Sequence, residues 1–242
     1  MMPRARLCLT LAAVLLLSAC DRGGEAPPAA PAAPKPAAAA LRERSEPVRW
    51  DEGFGAFWYK DAPLNAARLW RFDTGPQGFS AGGAELTPVA LDGVHLVNRL
   101  PDSQLRSPSG LGIDGSRFTL VLVRLTRLSD ATPWDGSLYW MTQDHSEQDA
   151  FHTKPFLGEA PVVNETVILA YDMANPLKGG DDWLKSVIDQ VRIDTDDGAG
   201  SKFRLRQIAI VENPAPDVLK AAPRAPKAAE AATPNAEAAG LR

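Results

Sequence analysis

All six tryptophans, three tyrosines and eight phenylalanines of this 242-residue chain fall between Trp50 and Phe203. Large aromatic side chains carry much of the apolar surface available for a core. Their confinement therefore bounds the foldable body, and a single domain is expected over residues 48–212. The flanks have little to bury. Between Ala26 and Ala40, fourteen of fifteen residues are Ala or Pro, and among residues 214–242 there are eleven alanines, five prolines and no aromatic. Such segments cannot offset their ordering entropy. An extended tether is expected before the domain, reaching about 80 Å at about 3.1 Å per residue, and a disordered tail over 213–242.

Inside the aromatic zone, apolar runs of five to nine residues alternate with Gly, Pro, Asp and Ser, and no stretch keeps a 3.6-residue period over three turns. That pattern predicts strands at 68–72, 86–91, 94–100, 118–125, 138–142, 162–172, 187–194 and 202–211. Asp92-Gly93 is a two-residue hairpin signal, and Asp114-Gly115 and Asp135-Gly136 mark further turns. The run Phe118-Thr119-Leu120-Val121-Leu122-Val123 is apolar at nearly every position, as is Val167-Ile168-Leu169-Ala170, so both are expected to be buried on two sides. In the last strand the apolar parity slips: Phe203 and Leu205 share one phase, Ile208 and Ile210 the other. One flat face cannot hold all four, which predicts a bulge near Arg206-Gln207. Asp181 to Ile188 can form one short capped helix, and a single turn before the next strand is equally acceptable. Phe54-Gly55-Ala56-Phe57-Trp58-Tyr59 is too aromatic for linker and is expected to pack on the body or line a groove. The fold class is all-β, a two-sheet jelly-roll β-sandwich between a disordered tether and tail.

The first residues set the compartment. Arg4 and Arg6 precede an apolar run over 7–17 too short to span a bilayer, and Leu17-Ser18-Ala19-Cys20 ends it with small residues. This resembles the lipobox of bacterial lipoproteins, which implies a signal peptide at 1–19, lipidation of Cys20 and a linker at 20–47. The cysteines are Cys8 and Cys20, so no disulfide is expected in the domain. The implied location is the cell envelope, lipid-anchored to the inner or outer membrane, with the domain in the periplasm or at the surface. A net charge of −4 points away from nucleic acid as a partner.

Five segments occur in a familiar order: Leu69-Trp70-Arg71-Phe72-Asp73 with Gly78-Phe79, Ser107-Pro108-Ser109-Gly110-Leu111, Leu138-Tyr139-Trp140-Met141-Thr142, Trp183 with Val191-Arg192-Ile193-Asp194, and Ile208-Ala209-Ile210. Together they resemble the jelly-roll carbohydrate-binding modules of the galactose-binding-domain-like superfold. Phe79 stands where that family usually has a tryptophan. The resemblance implies a non-catalytic module that binds a saccharide through aromatic stacking and a few polar contacts.

The expected ligand-binding residues are Trp58, Tyr59, Trp134, Tyr139 and Trp140, with Gln143, His145 and Arg192 as polar partners. Strand alternation lets only one of Tyr139 and Trp140 face outward, and Trp140 is the one expected inside. Asp144-His145-Ser146-Glu147-Gln148-Asp149-Ala150-Phe151-His152 collects histidines and carboxylates without a zinc spacing, which reads as a polar loop. Asp194, Asp196 and Asp197 offer oxygens for a structural calcium, the one cofactor considered, although the alternating acids and distal Glu of an EF-hand are missing. Arg192 and Asp194 are expected to pair structurally. No nucleophile elbow or phosphate loop is present, so no enzymatic activity is expected. Two alternatives stand beside saccharide binding: an envelope scaffold holding a protein partner, and a glycan-processing enzyme using two convergent carboxylates.

Overall fold

The computed structural model describes residues 42–44, 47–90, 93–131 and 133–222. The expected signal peptide, Cys20, the Pro/Ala-rich linker up to residue 41, Asp92 of the hairpin signal and the tail from residue 223 lie outside the described residues.

In chain order the strands are β1 (Arg42–Arg44), β2 (Val48–Asp51), β3 (Ala56–Tyr59), β4 (Ala62–Pro63), β5 (Ala66–Trp70), β6 (Ser80–Gly82), β7 (Ala84–Val89), β8 (Gly93–Asn98), β9 (Gln104–Arg106), β10 (Ile113–Asp114), β11 (Leu120–Ser129), β12 (Leu138–Thr142), β13 (His152–Thr153), β14 (Glu165–Asp172), β15 (Val187–Asp194) and β16 (Lys202–Val211). One short helix, α1 (Asp182–Lys185), precedes β15. The first sheet runs β1-β14-β11-β16-β8-β7, with β5 pairing the far half of β16 beyond β8. The second runs β13-β12-β15-β9-β6, with β10 on the start of β15. From β8 onward the chain passes back and forth: β8, β11, β14 and β16 lie in the first sheet, and β9, β12 and β15 between them lie in the second. This winding makes the domain a jelly-roll β-sandwich.

The inner faces share one core. Val121, Val123, Val167, Leu169, Tyr171, Phe203 and Leu205 of the first sheet meet Leu138, Trp140, Val191 and Ile193 of the second, with Trp183 of α1 closing one side. The helix is one turn, the shorter of the two expected forms: the Trp183 indole N–H is taken by the Phe118 carbonyl at 3.0 Å and β15 begins two residues after the helix ends. Between Arg124↔Gln207 and Leu125↔Leu205 the register skips Arg206. This bulge puts Phe203, Leu205, Ile208 and Ile210 in the same core, as the parity slip predicts.

A third layer lies outside the first sheet. β2, β3 and β4 form a small meander whose Val48, Trp50, Phe57 and Tyr59 cover Leu120, Leu122, Ile168, Ala170, Ala209 and Val211, joined by Leu219. This second core is why 120–123 and 167–170 carry apolar residues in both phases. Arg124 is buried at its border, where Glu43 and Gln207 each accept from it at 3.0 Å and Glu52 at 3.2 Å. The folded body reaches past 48–212 on both sides, since β1 pairs in parallel with β14 and Leu219 is buried. Close approach also fixes one glycine: a Cβ at Gly158, φ +78°, would stand 2.3 Å from the Ile168 carbonyl.

Candidate ligand-binding face

The outer face of the second sheet is built by strict alternation. In β12, Leu138 and Trp140 point to the core, so Tyr139 points out. In β15, Val191 and Ile193 point in, so Gln190, Arg192 and Asp194 point out. In β9, Leu105 points in, leaving Gln104 and Arg106 outside. The pairings Tyr139↔Arg192 and Arg192↔Arg106 then set these side chains in a row across three strands.

Arg192 organises the row. Its guanidinium lies 4.7 Å from the Tyr139 ring centroid, a cation–π contact. Its Nε donates to Asp194 Oδ1 at 2.7 Å and its Nη2 to Asp102 Oδ1 at 3.1 Å, while Nη1 donates to Glu147 Oε1. Arg106 donates to the other Glu147 oxygen and, at 2.5 Å, to Gln104 Oε1. Gln190 is held by a 2.7 Å bond from its amide to the Ser107 carbonyl. Burial pushes the Asp194 carboxyl up to about 6; Arg192 opposes this, and nearby Asp135 and Asp102 add to it. For Arg192, burial is outweighed by Asp194 and Glu147, which hold it firmly in the cationic form. Glu147 stays below its ordinary range because Arg106 and Arg192 outweigh its burial. Burial raises the Tyr139 phenol, and Asp194 adds to the rise.

At the end of β12, a shallow pocket of about 370 Å³ is lined by Gln143, Asp144, His145, Asp189 and Gln190 among others. His145 stacks on Phe151 with centroids 3.7 Å apart and planes 12° apart. Its Nε2 lies 3.0 Å from Asp182 Oδ2, the oxygen that also accepts from the Trp140 indole at 2.8 Å.

The structure thus brings together Tyr139, Gln143 and His145 along one face and its end. It does not add the three tryptophans. Trp140 is 0% exposed and sits against Trp183 at 5.9 Å, so its ring belongs to the core and not to a ligand. Trp134 is half-buried, with its ring against Phe203 at 6.2 Å and Arg127 at 5.7 Å, and Gly136 passes so close that a Cβ there would meet the indole at 2.7 Å. Trp58 lies on the meander over the opposite sheet, beside Phe54 at 4.9 Å and under Arg49 at 5.0 Å.

The three aspartates considered for calcium are also separated in role. Asp194 is taken by Arg192, and Asp196 receives both oxygens' bonds from Arg127 at 2.8 and 2.7 Å plus the Ala131 N–H at 3.1 Å. Asp197 alone is exposed. Carboxylates already neutralised by guanidinium are poor cation ligands. Among the described residues no group of three or more His, Cys, Asp or Glu is arranged for a metal. The Arg192–Asp194 pair is present as expected. Gln104, Arg106 and Gln190 were not anticipated as site residues. The alternation Gln190-Val191-Arg192-Ile193-Asp194 carries the signal for one of them, while three residues of β9 are too few to show a period.

No family model matches the sequence, and no curated protein matches it. Solved structures similar in fold include the CBM22-1 xylan-binding domain of Xyn10C from Paenibacillus barcinonensis, at 14% identity and a TM-score of 0.43 over 66% of this chain and 97% of that one. Others are the low-affinity xylan-binding module CBM86 of Roseburia intestinalis, at 13% identity and a TM-score of 0.36 over 60% and 95% of the two chains, and the CBM6-3 module of Clostridium stercorarium in complex with cellobiose, at 6% identity and 0.34 over 63% and 99%.

Proposed function

We propose that this chain is a non-catalytic saccharide-binding module, carried on a lipid anchor at Cys20 and a Pro/Ala tether, and that its ligand lies on the outer face of the second sheet. One observation carries the reading: on the outer face of the second sheet, the Tyr139 ring stands in a cross-strand row with the planar side chains of Arg192 and Arg106, and Gln190 and Gln104 lie in the flanking rows. Sugar rings present an apolar face and a rim of hydroxyls. A ring for the first and fixed donors and acceptors for the second are what their recognition needs. The donors are held in place beforehand by Glu147, Asp194 and the Ser107 carbonyl, which lowers the ordering cost of binding.

Retardation of the chain in polysaccharide-containing native gels tests the reading. Tyr139→Ala and Gln190→Ala are expected to abolish or strongly weaken retardation, and Trp58→Ala, on the far side, to leave it unchanged. Retardation that survives Tyr139→Ala but disappears with Trp58→Ala would move the site to the meander and overturn the assignment.

A further inference from the structure

Arg106 and Arg192 stand directly opposite each other on neighbouring strands. Two like charges in that position repel and ordinarily destabilise a sheet. Here a single carboxylate from elsewhere reconciles them, as Glu147 gives one oxygen to Arg106 and the other to Arg192. Glu147 belongs to neither strand. It comes from the irregular segment 143–151 between β12 and β13.

That segment has a second, independent anchor. His145 reaches Asp182 of α1 at 3.0 Å, a tie to the body that does not involve the Glu147 side chain. Glu147 itself is one-quarter exposed. It fills a cationic cradle whose wall is the Tyr139 ring, the same ring assigned above to the sugar.

We propose that Arg106 and Arg192 form a subsite for the carboxylate of a uronic-acid residue, which takes the place of Glu147. The inference rests on the reading of this face as a saccharide site and names the class of ligand, an acidic polysaccharide. A guanidinium pair suits a carboxylate's two oxygens. Charge balance favours the exchange over the alternatives. Asp194 and Asp102 remain on Arg192 throughout, so replacing Glu147 with another carboxylate leaves the net charge of the cradle unchanged. A neutral sugar would have to leave Glu147 in position and bind beside it, without the charged contacts.

Matched ligands separate the inference from the reading beneath it. Alginate, polygalacturonate and glucuronoxylan are each compared with their carboxyl-reduced forms, which keep the backbone and lose the charge, by titration calorimetry on the full chain. For whichever backbone is bound, the native form is expected to bind at least about tenfold more tightly, the scale of a hydrogen bond to a charged group. Arg106→Gln is expected to erase that ratio. Glu147→Gln is expected to widen it, because the internal competitor loses its charge; a folding defect would not raise affinity. Equal affinity for native and reduced forms, or a ratio that Arg106→Gln leaves intact, overturns the uronate subsite and leaves the saccharide face standing. Failure of all six polysaccharides to bind overturns both.

Discussion

On the outer face of the first sheet, Leu120, Leu122, Ile168, Ala170, Ala209 and Val211 lie under Trp50, Phe57 and Tyr59 of the meander. On the outer face of the second, the corresponding positions hold Tyr139, Gln190, Arg192, Asp194, Gln104 and Arg106, and among the described residues Glu147 of the 143–151 segment and Asp102 reach over them. The strands are of the same kind and the inner faces are equally apolar. What differs is whether the outward phase was given apolar side chains, and that choice decides which sheet is scaffold and which is available to a ligand. An extra layer stabilises one face at roughly 25 cal/mol per Å² of apolar surface covered. The other face forgoes that gain and carries polar groups, with Gln104, Arg106 and Gln190 half-buried and Arg192 and Asp194 buried in their ion pairs.

The sharpest break in this contrast is deletion of Arg206. Without the bulged residue, either Phe203 and Leu205 or Ile208 and Ile210 must turn from the inner core to the outside, because one step in register inverts a strand's faces. A loss beyond about 5 kcal/mol is expected, outside the range of ordinary point substitutions. The near-ultraviolet circular dichroism and the cooperative urea transition should both disappear. A chain that still unfolds cooperatively would mean β16 tolerates either phase.

Next in size are substitutions that open the two cores. Trp50→Ala removes the centre of the meander's contact, and Trp140→Ala removes a fully buried indole from the inner core. Each is expected to cost about 3–5 kcal/mol by urea denaturation. Equal losses would show that the meander is as integral as the sandwich. A loss below about 1 kcal/mol for Trp50→Ala would make the meander a detachable flap, and the contrast between the two outer faces would then be one of degree.

Much of this arrangement is visible in the chain itself. The solid apolar runs at 120–123 and 167–170 required two buried faces, and the alternation at 190–194 required one. The parity slip at Arg206 could be found because side chains in a strand can only alternate. The meander was legible as aromatic material with no assigned place, not as strands, since Gly53 and Gly55 interrupt any period. The polar site was less accessible. Glu147 meets Arg106 across 41 positions and Asp196 meets Arg127 across 69. No local pattern encodes such partners, and for that reason Asp196 looked like a cation ligand until its guanidinium was located.

The outer face of the second sheet should also give the domain a pH dependence. Asp194 is pushed up to about 6, from an ordinary value of 3.8, chiefly by burial. Between those two values the native chain holds more protons than the unfolded one, so stability falls as pH rises. The contribution is complete below about pH 4 and gone above about pH 6, with a span of about 2–3 kcal/mol. Asp194→Asn fixes a neutral group there and provides the reference. The stability of the native chain minus that of Asp194→Asn should decrease from pH 4 to pH 7. A difference that stays flat, or grows with pH, would mean Arg192 outweighs burial and holds the carboxyl low.

The smallest effect on stability is expected at Tyr139, next in sequence to one of the largest. Tyr139→Ala gives up the cation–π contact with Arg192 and a ring contact with His152 at 5.1 Å, but opens no cavity in the core. Contacts of that kind at a buried guanidinium are worth about 0.5–2 kcal/mol, which for a domain of this size lowers Tm by about 1–8 °C. The same substitution removes the only aromatic surface that the described part of the face offers a sugar. A small change in Tm combined with complete loss of polysaccharide retardation would separate the ligand face from the scaffold at one residue. A loss comparable to that of Trp140→Ala would show instead that Tyr139 and Arg192 hold the second sheet together, and that its outer face is structural like the first.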